Sequence, residues 1–138
     1  MQDPIEWFDV LDRQGRVSGV RKRRHEVHRD GDWHAAVHVW IFLDGGALLL
    51  QQRSQSKDLA PGKLDVSVGG HLSAGETWID ALREVEEEIG VDLSVDRVAL
   101  LGTHASERVY EHTIDREHQT VIVGGGTRGC LSRWGKTK

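Results

Sequence analysis

Glu84, Glu87 and Glu88 stand at i, i+3 and i+4 in the run Arg83-Glu84-Val85-Glu86-Glu87-Glu88-Ile89-Gly90. On a helix that turns by roughly 100° per residue they share one face, so three carboxylates converge. Like charges at this spacing destabilise an isolated helix by roughly a few tenths of a kcal/mol per pair. Glu86 adds to the acid density, and the neighbouring Arg83 cannot neutralise all of it. A hard divalent cation would, because Mg²⁺ and Mn²⁺ take carboxylate oxygens together with water and the phosphate oxygens of a substrate. The plainer reading of the same residues is a solvated acidic face.

A helix must carry these acids, and the sequence supplies one. Trp78, Leu82, Val85 and Ile89 recur at spacings of four, three and four, which makes a single apolar stripe beside the acids. Thr77 has Asp80 three residues on, the spacing of a capping box, and Gly90 suits a left-handed C-terminal turn. Upstream, Gly69-Gly70 marks a glycine turn.

Gly70 and Glu76, followed by Arg83, Glu84, Val85, Glu87, Glu88, Gly90 and Val91, resemble the Nudix box, Gly-x5-Glu-x7-Arg-Glu-U-x-Glu-Glu-x-Gly-U with U a bulky aliphatic residue. One departure stands out: residues 77 to 82 fill the gap between Glu76 and Arg83, six where the box has seven. Rotating the helix to absorb the missing residue would swing the acids by roughly 100° per residue. It would also expose the apolar stripe, whose burial is worth roughly several kcal/mol. The loop around Ser73 to Gly75 is therefore expected to absorb the shortening, with the acids still aimed at Gly69-Gly70.

The likeness runs from about Phe8 to Val123, through FDVLDRQGRVSGV, EVHRDGDWHAAVHVWIF and LLLQQRSQSKDLAPGKLDVSVGGHLSAGE. It looks like the branch of Nudix hydrolases most similar to type I isopentenyl diphosphate isomerase. That resemblance implies an α/β fold, an α/β/α sandwich of a mixed sheet with the Nudix helix on one face. It also implies Mg²⁺- or Mn²⁺-dependent hydrolysis of a small-molecule diphosphate, a nucleoside or other organic diphosphate. By the same resemblance Glu84, Glu87 and Glu88 bind metal, Glu87 or Glu88 handles the water, and Arg83 anchors the glutamates. Arg53 and Lys57 would hold phosphate, the one by a planar fork and the other as a point charge. Gly70 would let backbone approach the metal or phosphate. The isomerase itself ranks lowest, because its Cys-Gly-His motif reads Gly69-Gly70-His71 here and Cys130 lies far along the chain. Where the isomerase has a glutamate pair flanking an asparagine, this chain has Asp115-Arg116-Glu117. A diphosphate-binding module with little turnover stands between the two, favoured by the shortened box and a short tail.

The remaining bounds are broad. A chain of 138 residues suits one domain spanning 1–138, with the box at 69–91 and an atypical tail at 124–138. Apolar residues at 38% and charged residues at 29% suit a soluble globular protein, and a net charge of −4 gives no reason to invoke nucleic acid. The apolar run Ala35 to Leu43 is far too short to cross a membrane. Lone Cys130 and the absence of a signal peptide point to a reducing, cytoplasmic setting.

Other elements follow from turn residues and alternation. WFDVLD and VSGVRK read as a hairpin, and RKRRHEVHRDGDWH as a loop. Ala36 to Gln52 reads as strand, Asp44-Gly45-Gly46 turn, strand. Further strands are expected at Asp96 to Thr103 and Thr120 to Val123. Asp115 and Glu117, in the polar stretch between them, are candidates for extra metal contacts or a general base. His25, His28, His34 and His38 match no recognised zinc spacing. A short tail would leave part of the sheet uncovered, which favours a homodimer.

Overall fold

The computed structural model describes residues 5–52, 55 and 62–125. Strands β1 (Trp7–Leu11) and β2 (Val17–Arg23) form the expected antiparallel hairpin. Its turn is held by the Asp12 carboxylate, which accepts from the N–H groups of Gln14 and Arg16 at 2.9 Å each.

The next segment is not the expected loop. Arg24–Asp30 forms a helix, α1, which ends at Gly31 with φ of 72°. Seven residues are too few to establish a helical period in sequence, and the buried side chains Val27 and His28 are adjacent and not spaced by a turn. Arg116 fixes the end of α1, its Nη1 donating to the Gly31 carbonyl at 3.0 Å.

Strand β3 (Trp33–Phe42) is the spine of the sheet. The expected hairpin after it is only begun. A 3₁₀ turn at Asp44–Gly46 is followed by a single Phe42 to Leu48 bridge, and β4 (Gln51–Gln52) pairs instead with β5 (Leu64–Asp65). Buried Ser67 accounts for the divergence: its hydroxyl accepts from Ile41 N–H at 2.9 Å and donates to the Leu49 carbonyl, drawing the chain away from β3.

β6 (Val68–His71) pairs antiparallel with β3, and β8 (Ile114–Gly125) pairs parallel with it, so the sheet is mixed, in the order β2-β1-β3-β8-β7 with β6 also on β3. β7 (Ala99–Val109) and β8 are longer than the apolar runs suggest, because their ladder continues from Thr103–Thr120 to Val109–Ile114 through polar residues. Most of β7 is exposed, so no apolar alternation marks it.

Helix α2 (Trp78–Ile89) has the expected caps: Thr77 Oγ1 accepts from Asp80 N–H at 3.3 Å, Asp80 Oδ2 from Thr77 N–H at 3.0 Å, and Gly90 is left-handed with φ of 74°. Leu82, Val85 and Ile89 pack with Val37, Val39 and Ile41 of β3, Ile122 of β8 and Leu93, while Trp78 is partly buried against them. Gly124 completes this packing, since a Cβ there would lie 2.8 Å from Leu93. Alternation along β3 sends His34 and Ala36 to the other face, where α1 lies. The helices thus flank the sheet as an α/β/α arrangement. Of the tail, Gly124 and Gly125 end β8, and residues 126–138 lie outside the described residues. Among the described residues no helix is long and apolar enough to cross a membrane.

Candidate functional site

The acid face of α2 is built by its buried stripe. With Ala81, Leu82, Val85 and Ile89 buried, Glu84, Glu87 and Glu88 are exposed. The shortened box has not rolled the stripe out of the core. Between β6 and α2 the chain closes a tight turn: Glu76 N–H donates to the Ser73 carbonyl, and Ser73 N–H donates to Glu76 Oε1, both at 2.9 Å. Gly75 sits in this turn with φ of 82°, a conformation that favours glycine.

Glu76 thereby meets Glu84. Their carboxyls lie together, and this contact, with partial burial and the charges of Glu76, Glu87 and Asp80, pushes Glu84 up to about 7. Glu86 takes a different role, its Oε2 accepting from Leu93 N–H at 2.6 Å beyond the helix end. Arg83 is exposed, with its guanidinium 3.9 Å from Asp80. Gly70 pairs with Val37, and the side where a Cβ would sit is open except for Val37 at 3.9 Å. Arg53 and Lys57 lie outside the described residues.

A second group of chemistry-bearing residues gathers on the opposite face of the sheet. Register explains it: His34 lies beside Glu117 in the parallel β3–β8 pair, and Ala36 lies beside His71 in the β3–β6 pair. Residues paired in register point the same way, so His34, His38, His71, Asp115 and Glu117 converge there and α1 lays His28 over them. Nε2 of His34 is 3.4 Å from Asp115 Oδ1 and 3.7 Å from Glu117 Oε2, and Nε2 of His71 is 3.1 Å from Glu117 Oε2. Buried Phe8 stacks on His34, ring centroids 5.2 Å apart, and closes the group from β1.

The two carboxyls of this group are driven apart. Burial and the charge of Glu117 raise Asp115 above the ordinary aspartate range. Burial also opposes ionisation of Glu117, but His34, His38 and His71 outweigh it and hold that carboxyl well below the usual range. His34 Nε2 and Asp115 Oδ1 are buried without a hydrogen-bond partner. Ligand atoms of His28, His34, His71 and Asp115 all lie within 4.8 Å of one another. Ligands around tetrahedral zinc sit about 3.3 Å apart, so modest side-chain movement fits these four to a nitrogen-preferring transition metal.

Sequence points to Asp115 and Glu117 as candidates; it raises His28 and His34 as metal ligands but sets them aside for want of a zinc spacing, and it gives His71 no such role. Their signal was the shared parity of His34 and His38 on one strand and of Asp115 and Glu117 on another, which needs the strand pairing to be decisive.

Known proteins place this geometry. A sequence model of the NUDIX domain matches residues 32–127, and the chain belongs to the Nudix family. It is 57% identical over 93 residues to Nudix hydrolase 3 of Arabidopsis thaliana, a match covering 66% of this chain and 12% of that protein. An uncharacterized Nudix hydrolase of Clostridium acetobutylicum is 38% identical over 121 residues, covering 86% of this chain and 58% of that one. The chain thus spans only part of either relative. The crystal structure of DR0079 from Deinococcus radiodurans has the same fold, with a TM-score of 0.61 at 24% identity over 88% of this chain and 72% of that one.

Proposed function

We propose that this chain hydrolyses the diphosphate linkage of a nucleoside or other organic diphosphate by water attack at phosphorus, with Mg²⁺ or Mn²⁺ held by Glu84, Glu87 and Glu88. The observation that carries the reading is the Glu76–Glu84 contact. Acids crowded until one keeps its proton near neutrality form a donor set that a divalent cation relieves. When bound, such an ion neutralises charge on the non-bridging phosphate oxygens and makes a water nucleophilic.

The chain's own residues supply the rest. Glu87 or Glu88, both solvent-exposed, orients or deprotonates the attacking water, and Arg83 restrains the glutamate side chains. Arg53 and Lys57 hold the phosphates so that water and leaving group are in line. The open side of Gly70 lets backbone come close to the substrate.

A diphosphate-binding module without turnover is the second reading, favoured by the box being one residue short. Isomerisation in the manner of the branch this chain resembles is disfavoured, because Gly69 stands where that chemistry needs a thiol. Phosphate release from a panel of nucleoside and isoprenoid diphosphates, with and without Mg²⁺, separates the three. Metal-dependent release supports hydrolysis. Binding without release supports the module, and double-bond migration supports the isomerase.

A further inference from the structure

We propose that Asp9 is a positioning residue for Glu76, which makes the N-terminal hairpin part of the acid site. The inference rests on the reading that the box acids hold a divalent cation.

The turn carrying Glu76 is attached to β1 at two consecutive residues. Ala74 N–H donates to the Trp7 carbonyl at 2.7 Å, and Gly75 N–H donates to Asp9 Oδ2 at 2.8 Å. Asp9 is itself held: Arg21, its direct partner across the β1–β2 pair, donates from Nε to Oδ1 at 2.9 Å. One carboxylate therefore uses one oxygen on the hairpin and the other on the turn. The Asp9 side chain is 19% exposed against 58% for Arg21, so the inner member of the pair is the one that reaches the turn.

What the turn fixes is Glu76. Its carboxyl is held at Ser73 N–H and meets Glu84, so a drift of residues 73–75 would separate the first acid of the box from those on α2. Among the described residues, no other side chain accepts from the backbone of Ala74 or Gly75. The hairpin lies outside residues 32–127, the part that matches the NUDIX domain, so Asp9 supports the box from outside the matched segment.

Metal-site supports outside the ligand shell characteristically change metal affinity by about tenfold or more when removed. The test is Mn²⁺ binding, followed by electron paramagnetic resonance and calorimetry, in the native chain, Asp9→Ala, Asp9→Asn, Arg21→Ala and Glu87→Gln. Each is measured well below its own unfolding midpoint. Asp9→Ala is expected to weaken Mn²⁺ binding about tenfold. Asp9→Asn keeps an oxygen for Gly75 N–H and is expected to stay within about twofold of native; Arg21→Ala, at an exposed position, should fall between them. Native affinity in a folded Asp9→Ala, or an equal loss in Asp9→Asn, overturns the role of Asp9 while leaving the metal reading intact. If Asp9→Ala does not fold, Arg21→Ala decides, and unchanged affinity there overturns the proposal. Failure of the native chain to bind Mn²⁺ in a manner sensitive to Glu87→Gln overturns both readings.

Discussion

The carboxyls of Glu76 and Glu84 lie together, one residue on the turn after β6 and the other in the second turn of α2, and Glu84 is pushed up to about 7 as a result. A proton or a cation must occupy such a pair for both acids to remain there.

This gives a pH dependence of definite sign. The folded value of Glu84 lies above its ordinary 4.5, so its contribution to stability is complete below that value and is lost as pH rises through about 7. The chelator-treated protein should therefore melt at a lower temperature at about pH 8 than at about pH 5, and Glu84→Gln should flatten that slope. Mg²⁺ should raise the midpoint more at the higher pH. Differential scanning fluorimetry measures both, and an Mg²⁺ shift of equal size at the two pH values would count against the shared site.

The histidine group predicts a different metal preference. Zn²⁺ should raise the thermal midpoint through His28, His34, His71 and Asp115, since imidazole nitrogens suit it better than they suit Mg²⁺. His34→Ala should abolish the Zn²⁺-dependent shift whatever it does to the midpoint itself, whereas Glu87→Gln should keep it. Retention of the full shift in His34→Ala would remove this group as a metal centre.

How far these sites were legible in sequence follows from the distance over which each is encoded. The α2 acids, stripe and caps lie within one helix, so spacing alone recovers Thr77, Leu82, Glu84 and Gly90. Helix α1 escapes notice because a short helix with adjacent buried residues has no period to detect. The histidine group needs the β3–β8 and β3–β6 registers, which bring Glu117 and His71 to His34 from distant points in the chain. The β7–β8 ladder extends beyond what its apolar runs show, because a largely exposed strand has no alternation to read.

Ser67→Ala should cost roughly 1–3 kcal/mol, because it strips a partner from Ile41 N–H and from the Leu49 carbonyl in a buried place. Urea unfolding gives the value; a loss below about 0.5 kcal/mol would mean that water or a shifted backbone replaces the hydroxyl.

Arg53→Ala and Lys57→Ala should raise KM while leaving Mg²⁺ affinity unchanged, since both side chains are assigned to phosphate. Unchanged KM in both variants would withdraw that assignment.

The central claim is tested most directly by calorimetric titration of Mg²⁺ into the native chain and into Glu86→Gln, Glu87→Gln and Glu88→Gln. Glu86 is engaged with Leu93 N–H, and a glutamine can keep that contact, so Glu86→Gln should bind as the native chain does. Glu87→Gln and Glu88→Gln should each weaken binding by about tenfold or more. An equal loss in all three variants would reduce the site to general acidity, and no loss in Glu87→Gln or Glu88→Gln would contradict it outright.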